Sequence, residues 1–340
     1  MRGHRGVRGR VRAAAVVLGA ALLATGCSSG SPGGDDGAGA AVTQRPGAAG
    51  APYWVNPDST AARRAAGLVR AGRPAEAALL RRIAEQPTGQ WIGPENPERE
   101  ARGFTEAAGR AGRTALLVLY DIPHRDCGRY SRGGAADGDA YRAWIAAVAR
   151  GIGDRAATVV LEPDAVPHLV DGCTPAEFQE ERYDLLAGAV ATLTSLGRVQ
   201  VYLDAGNPGW GRPDQIQEPL RRAGVERADG FAVNVANFYS TDRSLAYGRQ
   251  LSALTGGKHF VVDTSRNGNG PATDGDPGER WCNPPGRALG EPPTTRTADP
   301  LADAYLWVKR PGESDGTCKG GPKAGDWWEE YALALAAAAR

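Results

Sequence analysis

The chain has 340 residues, 41% hydrophobic and 23% charged, with 40 basic against 39 acidic side chains and a formal net charge of +1. That length accommodates one large domain or two small ones, and the balanced charge supplies no field that would recruit nucleic acid or an anionic membrane surface. With 47 glycines and 24 prolines, much of the chain is loop.

The first 27 residues read as an export signal. Arg2, Arg5, Arg8, Arg10 and Arg12 precede the apolar run AAAVVLGAALLA, residues 13–24, which is too short to span a bilayer comfortably. Small residues before Cys27 in TGCSSGS resemble a bacterial lipoprotein processing site, although Ala24 stands where such sites favour Leu. Cys27 is therefore a candidate for lipidation, and the only membrane link expected is through that anchor. Residues 28–51 have almost nothing to bury and read as a flexible tether. The folded domain is expected over 52–340, outside the cell, either secreted or held on the outer face of the membrane.

Beyond Cys27 stand Cys127, Cys173, Cys282 and Cys318, an even number that suggests two disulfides in an oxidising compartment. Three pairings are possible, and the sequential one, Cys127 with Cys173 and Cys282 with Cys318, is preferred. No two of these cysteines have the short spacing of a structural zinc site.

Strand candidates follow in order: YWVN (53–56), ALLVLYD (115–121), TVVLEPD (158–164), VQVYLDAG (199–206), GFAVNVAN (230–237), HFVVDTS (259–265) and AYLWVK (304–309). Amphipathic stretches lie between several of them, such as 139–153 and 174–197. Alternating strands and helices imply a parallel sheet with helices outside, and about seven such units favour a TIM-like α/β barrel over an open doubly wound sheet. No GxGxxG follows a strand, and SRNGNGP has no helix after it, so no dinucleotide cofactor is expected. His124, His168 and His259 show no metal-binding spacing, so no metal is expected either.

The strand 158–164 ends on two carboxylates. Strand alternation would place Val160, Glu162 and Asp164 on one face. Other acids close or follow strands: Asp204 after VQVYL, Asp126 beyond LLVLYD, and Glu313 and Asp315 past Lys309. A single Asp after a strand is usually a turn former or helix cap, and Glu162 could equally be a buried partner for an arginine. Several acids gathered at one barrel mouth, without metal or cofactor, suit acid-catalysed glycoside cleavage. Trp54, Trp210 and Trp281, each beside a polar loop, could stack on sugar rings.

These residues resemble glycoside hydrolase family 6, the inverting cellulases. The resemblance covers about residues 52–340 and rests on ordered motifs: YWVNPDS, LYDIPHRDCG, AYRAWI, VVLEPDAV, VYLDAGNPGW, GFAVNVANFY, DTSRNGNGP, WCNPPGRALG and LWVKRPGESDGT. It implies a distorted barrel of about seven strands and hydrolysis of β-1,4-glucan with inversion, for which the reacting carboxyls stand roughly 6.5 to 9.5 Å apart. It also implies the sequential disulfide pairing.

By the same resemblance, Asp164 is the general acid and Asp126 raises its pKa and helps relay a proton from the attacking water. Asp315 serves as base or charge stabiliser, and Asp204 is a further site carboxylate. Lys309 and Glu313 match sugar-hydroxyl ligands, and Tyr120 sits beside the reacting ring. Trp54, Trp210 and Trp281 match stacking platforms, with Asn237 and Arg266 lining or bracing the cleft.

Two positions depart from the family pattern. Asn207 stands where many relatives carry His, and Arg132 where a small residue is usual, so either Ser131 supplies the missing hydroxyl or the cleft suits another glucan. The short segments 126–139 and 315–327 suggest an open groove and cleavage within chains; a monomer is expected. The competing readings are a surface glucan-binding protein that has lost catalysis, and a hydrolase of a different β-glucan.

Overall fold

Seven apolar segments pair in parallel, in chain order: β1 (Gln90–Ile92), β2 (Ala115–Leu119), β3 (Ala157–Leu161), β4 (Val199–Asp204), β5 (Gly230–Val233), β6 (His259–Asp263) and β7 (Ala302–Leu306). The structure, a computed structural model, describes residues 52–339. The export signal, the tether and Cys27 lie outside the described residues. Every residue of β2 and β3 is buried, as expected of parallel strands covered on both faces.

The register sorts their side chains into two layers. Leu117, Val159 and Val201 stand side by side across β2, β3 and β4, and so do Val118, Val160 and Tyr202. The first row packs outward with the helices. The second packs inward with Leu116, Ala232, Val261, Ala304 and Leu306, filling the interior of a curled sheet.

The helices are α1 (Thr60–Arg70), α2 (Pro74–Ala84), α3 (Pro97–Arg110), α4 (Gly138–Ile152), α5 (Pro167–Val170), α6 (Ala176–Thr194), α7 (Pro213–Arg222), α8 (Thr241–Leu254) and α9 (Glu329–Ala338). Two begin on side-chain caps: Ser59 accepts the Ala62 N–H, and Asp137 accepts the Ala140 N–H. Helices α1, α2 and α9 form a second apolar cluster around Leu80, Leu335 and Trp307.

The curl closes at a seam rather than through a strand ladder. Gly89 donates its N–H to the Trp307 carbonyl at 2.9 Å, and the Trp91 indole donates to the Val308 carbonyl at 2.9 Å. A Cβ on Gly89 would stand 2.7 Å from that Val308 oxygen, so this close approach requires glycine. The result is the distorted α/β barrel anticipated from the sequence.

One expected strand is displaced. YWVN contributes only an isolated bridge, Tyr53 to Thr114. The first strand is instead Gln90–Ile92, three residues flanked by glycines, too short for alternation to reveal it.

Two disulfides, Cys127–Cys173 and Cys282–Cys318, link residues 46 and 36 apart in sequence. The first ties the loop after β2 to the segment after β3, and the second joins the loops after β6 and β7. Closing loops of this size is worth about 4 kcal/mol each in the chain-entropy picture.

Candidate active site

The C-terminal ends of the parallel strands surround a groove of about 1020 Å³, the end of a parallel barrel where sites form. Asp164 is part of its lining. The chain leaves β3 through two residues in the left-handed region, Glu162 (φ 48°) and Asp164 (φ 71°), a conformation that costs non-glycine residues roughly 1 kcal/mol or more. This break ends strand alternation, and the two carboxylates part company.

Asp164 lines the groove and Glu162 does not. Glu162 is buried behind the site, where its carboxylate accepts the Asp121 N–H at 3.0 and 3.1 Å and the Ile122 N–H at 3.0 Å. Arg182 works from the other side of the same loop. It donates to the carbonyls of Pro123 at 2.9 Å, His124 at 3.3 Å and Ala165 at 3.5 Å. Together they fasten the loop that carries Asp126 to the loop that carries Asp164.

Three groups set the state of Asp164. Tyr120 donates its hydroxyl to Oδ2 at 3.3 Å, and Asp204 accepts the Asp164 backbone N–H at 2.7 Å. Burial, and then the neighbouring charges of Asp204 and Asp126, hold the Asp164 carboxyl well above the usual carboxylate range. Asp204 also accepts the Gly206 N–H at 3.2 Å, and burial pushes it up to about 7. Asp126, at φ 54°, accepts the Ser131 N–H at 2.6 Å and is raised by burial.

Asp315 is held in the opposite state. Burial alone would raise it, but the Arg266 guanidinium at 2.9 Å and the Lys309 ammonium at 3.3 Å hold it below the usual range. It also accepts the Asn283 N–H at 3.0 Å. Arg266 is wholly buried and absent from the groove lining. It is therefore a brace for Asp315 rather than a sugar ligand.

Lys309 and Glu313 line the groove, Lys309 bonded to the Ser314 carbonyl at 3.1 Å and Glu313 paired with Arg310 at 2.9 Å. Asn237 also lines it. Asp263 went unnoticed in the sequence. Its buried carboxylate accepts the N–H groups of Ala236, Ser265 and Lys309, at 2.9, 2.9 and 3.0 Å, and so ties the ends of β5, β6 and β7 together.

The tryptophans that line the groove are Trp91, Trp210 and Trp281. Trp54, expected among them, is not in the groove. It packs edge-on against Phe104 at 4.9 Å beside the main apolar core. Trp91 takes its place beside Tyr120, with ring centroids 5.3 Å apart, because its short strand ends at the mouth. The flanking GQWIG had offered a glycine-bounded tryptophan as the signal. Trp210 is fixed by its indole N–H on Asp171 at 3.0 Å, and His168, driven down to about 4 by burial, meets it edge-on at 5.0 Å.

Asn207 is buried in the lining and accepts the Gly209 N–H at 3.0 Å. Arg132 lines the groove beside Ser131. The loop after β2 reaches the loops after β6 and β7: Tyr130 meets Trp281 at 6.0 Å and lies against Gly316. The rim expected to be open is thus joined at that point. Cys127, Cys173 and His168 bring their ligand atoms within 4.8 Å of one another, but both sulfurs are tied up in the disulfide, so the cluster offers no thiolate to a metal.

The family model for glycosyl hydrolases family 6 matches residues 48–339. Endoglucanase A of Cellulomonas fimi is 45% identical over 267 residues, covering 77% of this chain and 57% of that protein. Endoglucanase 1 of Streptomyces halstedii is 40% identical over 294 residues, covering 83% and 88%. The first of these and Endoglucanase A of Thermobispora bispora are longer proteins, of which the match spans 57% and 58%.

Among solved structures, the endoglucanase Cel6 from Mycobacterium tuberculosis, in complex with methyl-cellobiosyl-4-deoxy-4-thio-β-D-cellobioside, superposes with a TM-score of 0.80 at 47% identity, covering 85% of this chain and 98% of that one. Endoglucanase CEL6B from Humicola insolens gives 0.74 at 27% identity, covering 86% and 97%. With the barrel, the acids at its mouth and a family match over all the described residues, the chain belongs to glycoside hydrolase family 6.

Proposed function

We propose that the protein hydrolyses internal β-1,4-glucosidic bonds of a glucan with inversion at the anomeric carbon. The observation that carries this reading is Asp164, a carboxyl that burial, Asp204 and Asp126 hold well above the usual carboxylate range, in a groove lined by Trp91, Trp210 and Trp281. A protonated carboxyl beside a platform for sugar rings is what leaving-group protonation needs.

Each group then has a task. Asp164 donates its proton to the glycosidic oxygen. Water attacks the opposite face of the ring and passes its proton to Asp126, which is partly exposed, raised in pKa by burial and held in place by the Ser131 N–H. Asp315, ionised between Arg266 and Lys309, is a poor base and serves as a fixed negative charge near the oxocarbenium-like centre. Tyr120 orients Asp164, while Lys309, Glu313 and Asn237 offer hydrogen bonds to hydroxyls. No step calls for a cofactor.

Cleavage within chains is supported by relatives named endoglucanases and by the short segments 126–139 and 315–327, which meet where Tyr130 lies against Gly316. The paired cysteines favour an oxidising compartment, in keeping with export and with Cys27 as an anchor. Viscosity and reducing ends should be followed together on amorphous cellulose. A steep viscosity fall at few reducing ends fits internal cleavage, soluble cellobiose at constant viscosity contradicts it, and binding without turnover favours a glucan-binding protein.

A further inference from the structure

Apart from Arg280, which donates to the Asp274 and Gly275 carbonyls at 3.3 Å, the Lys and Arg side chains of the groove divide into two sets. Lys309, Arg310 and Arg125 each have a carboxylate partner: Asp315 at 3.3 Å, Glu313 at 2.9 Å and Asp121 at 3.9 Å. Arg129, Arg132 and Arg243 also line the groove and are exposed, yet among the described residues none of them pairs with a carboxylate. An uncharged glucan offers such side chains only hydroxyl oxygens, weak partners for a planar guanidinium that matches carboxylates two bonds at a time.

Two of these arginines converge on one platform. Trp210 follows β4, and the loops after β3 and β5 flank it in the sheet order. On the β3 side His168 meets the Trp210 ring, and the Cys127 sulfur, two residues before Arg129 in the loop after β2, lies within 4.8 Å of a His168 ring nitrogen. On the β5 side the Tyr239 hydroxyl lies where a Cβ on Gly209 would stand, and the Arg243 guanidinium sits 4.8 Å over the Tyr239 ring. Asp171, the acid beside the platform, is engaged by the Trp210 indole at 3.0 Å and the Cys173 N–H at 2.9 Å. Arg129 also acts on Asp126 without pairing to it.

A sugar stacked on an indole face directs its C6 group sideways, toward whatever walls the platform. We infer that the Trp210 subsite accepts a hexose bearing a carboxylate at C6, so that the preferred polymer is a β-1,4-glucan partly oxidised to uronic acid. This inference rests on the glucanase reading and names its substrate class. Arg132, where a small side chain was expected, adds a third positive charge to the same groove.

The test compares kcat/KM for cellohexaose with that for C6-carboxylated cello-oligosaccharides of equal length, at about 20 mM and about 500 mM NaCl, conditions between which exposed charges become screened. The expected result is a roughly fivefold preference for the carboxylated chains at low salt, carried by KM, as two exposed charge pairs would give. It disappears at high salt and in Arg129→Gln/Arg243→Gln, whose fold is checked by circular dichroism; Arg132→Gln alone lowers it in part. Equal or poorer use of the carboxylated chains while cellohexaose is cleaved overturns the inference, as does a preference that survives salt or the double substitution. Failure to cleave either substrate overturns the glucanase reading itself, and this inference with it.

Discussion

Asp204 reaches across from β4 to accept the Asp164 backbone N–H at 2.7 Å. One carboxyl thereby fixes the left-handed backbone beneath the other and, by its charge, keeps its neighbour protonated. The two effects separate in Asp204→Asn, which retains an acceptor oxygen but removes the charge. The basic limb of the kcat/KM profile should move to lower pH, with a loss on the order of tenfold at pH 7. Asp204→Ala also strands the N–H and should lower stability, measured by urea melts. An unmoved basic limb in the Asn variant would separate Asp204 from the acid's pKa.

Glu162 should link stability to pH. Burial pushes Glu162 up to about 8 and Asp204 up to about 7, both above the values of an unfolded chain, near 4. The folded state thus binds protons that the unfolded state has released, and stability from these groups is lost as pH rises through the folded values. His168, driven down to about 4, acts with the opposite sign, but only below pH 6.5 or so. Unfolding free energy should therefore fall between about pH 6.5 and 8, by up to about 1.4 kcal/mol per unit for each such proton. Glu162→Gln should shallow that slope, and an unchanged slope would remove Glu162 as its source.

The Arg266–Asp315 pair is buried at both ends. Removing one partner of such a pair typically costs 3–5 kcal/mol, roughly, because the other charge is left behind. Arg266→Leu should approach that loss in denaturant titration and lower kcat, since Asp315 would lose the partner that keeps it ionised. Arg266→Lys keeps the charge but not the fork that reaches both Asp315 and the Ala236 carbonyl, and should fall between.

Trp91 and Trp54 make opposite predictions for KM. Trp91→Ala should raise KM for cellohexaose about tenfold, the worth of one stacked ring, and should also lower melting, because its indole N–H closes the seam on the Val308 carbonyl. Trp54→Ala should leave KM near its original value and cost roughly 3 kcal/mol of stability as a partly buried aromatic. If Trp54→Ala raised KM and Trp91→Ala did not, the platform assignment would be reversed.

The parallel barrel was legible because β2 to β7 are apolar runs, those from β2 to β6 separated by helices, and the acids were legible because they stand where those runs end. Motif order brought Asp126, Asp164, Asp204 and Asp315 together in advance, and the groove contains all four. What escaped were features fixed by tertiary contacts. The strand at Gln90–Ile92 is too short to show a period, so Trp91 was passed over in favour of Trp54. Alternation misdirected Glu162 because it presumes extended backbone, and positive φ at Glu162 sends its side chain under the neighbouring loop. Of the two roles expected for Arg266, lining or bracing the cleft, the choice is made by tertiary packing: Phe238, 4.3 Å from the guanidinium, and Asp315 hold it buried as a brace.

The central claim is that Asp164 donates the proton in an inverting hydrolysis, and the anomeric configuration of the first product tests it most directly. Purified protein spanning residues 51–340 should be mixed with cellohexaose and the anomeric protons followed by NMR from the first minutes. Early release of the α-anomer, absent in Asp164→Ala while oligosaccharide binding persists, is the predicted result. Early β-anomer, or near-normal turnover by Asp164→Ala, would contradict it.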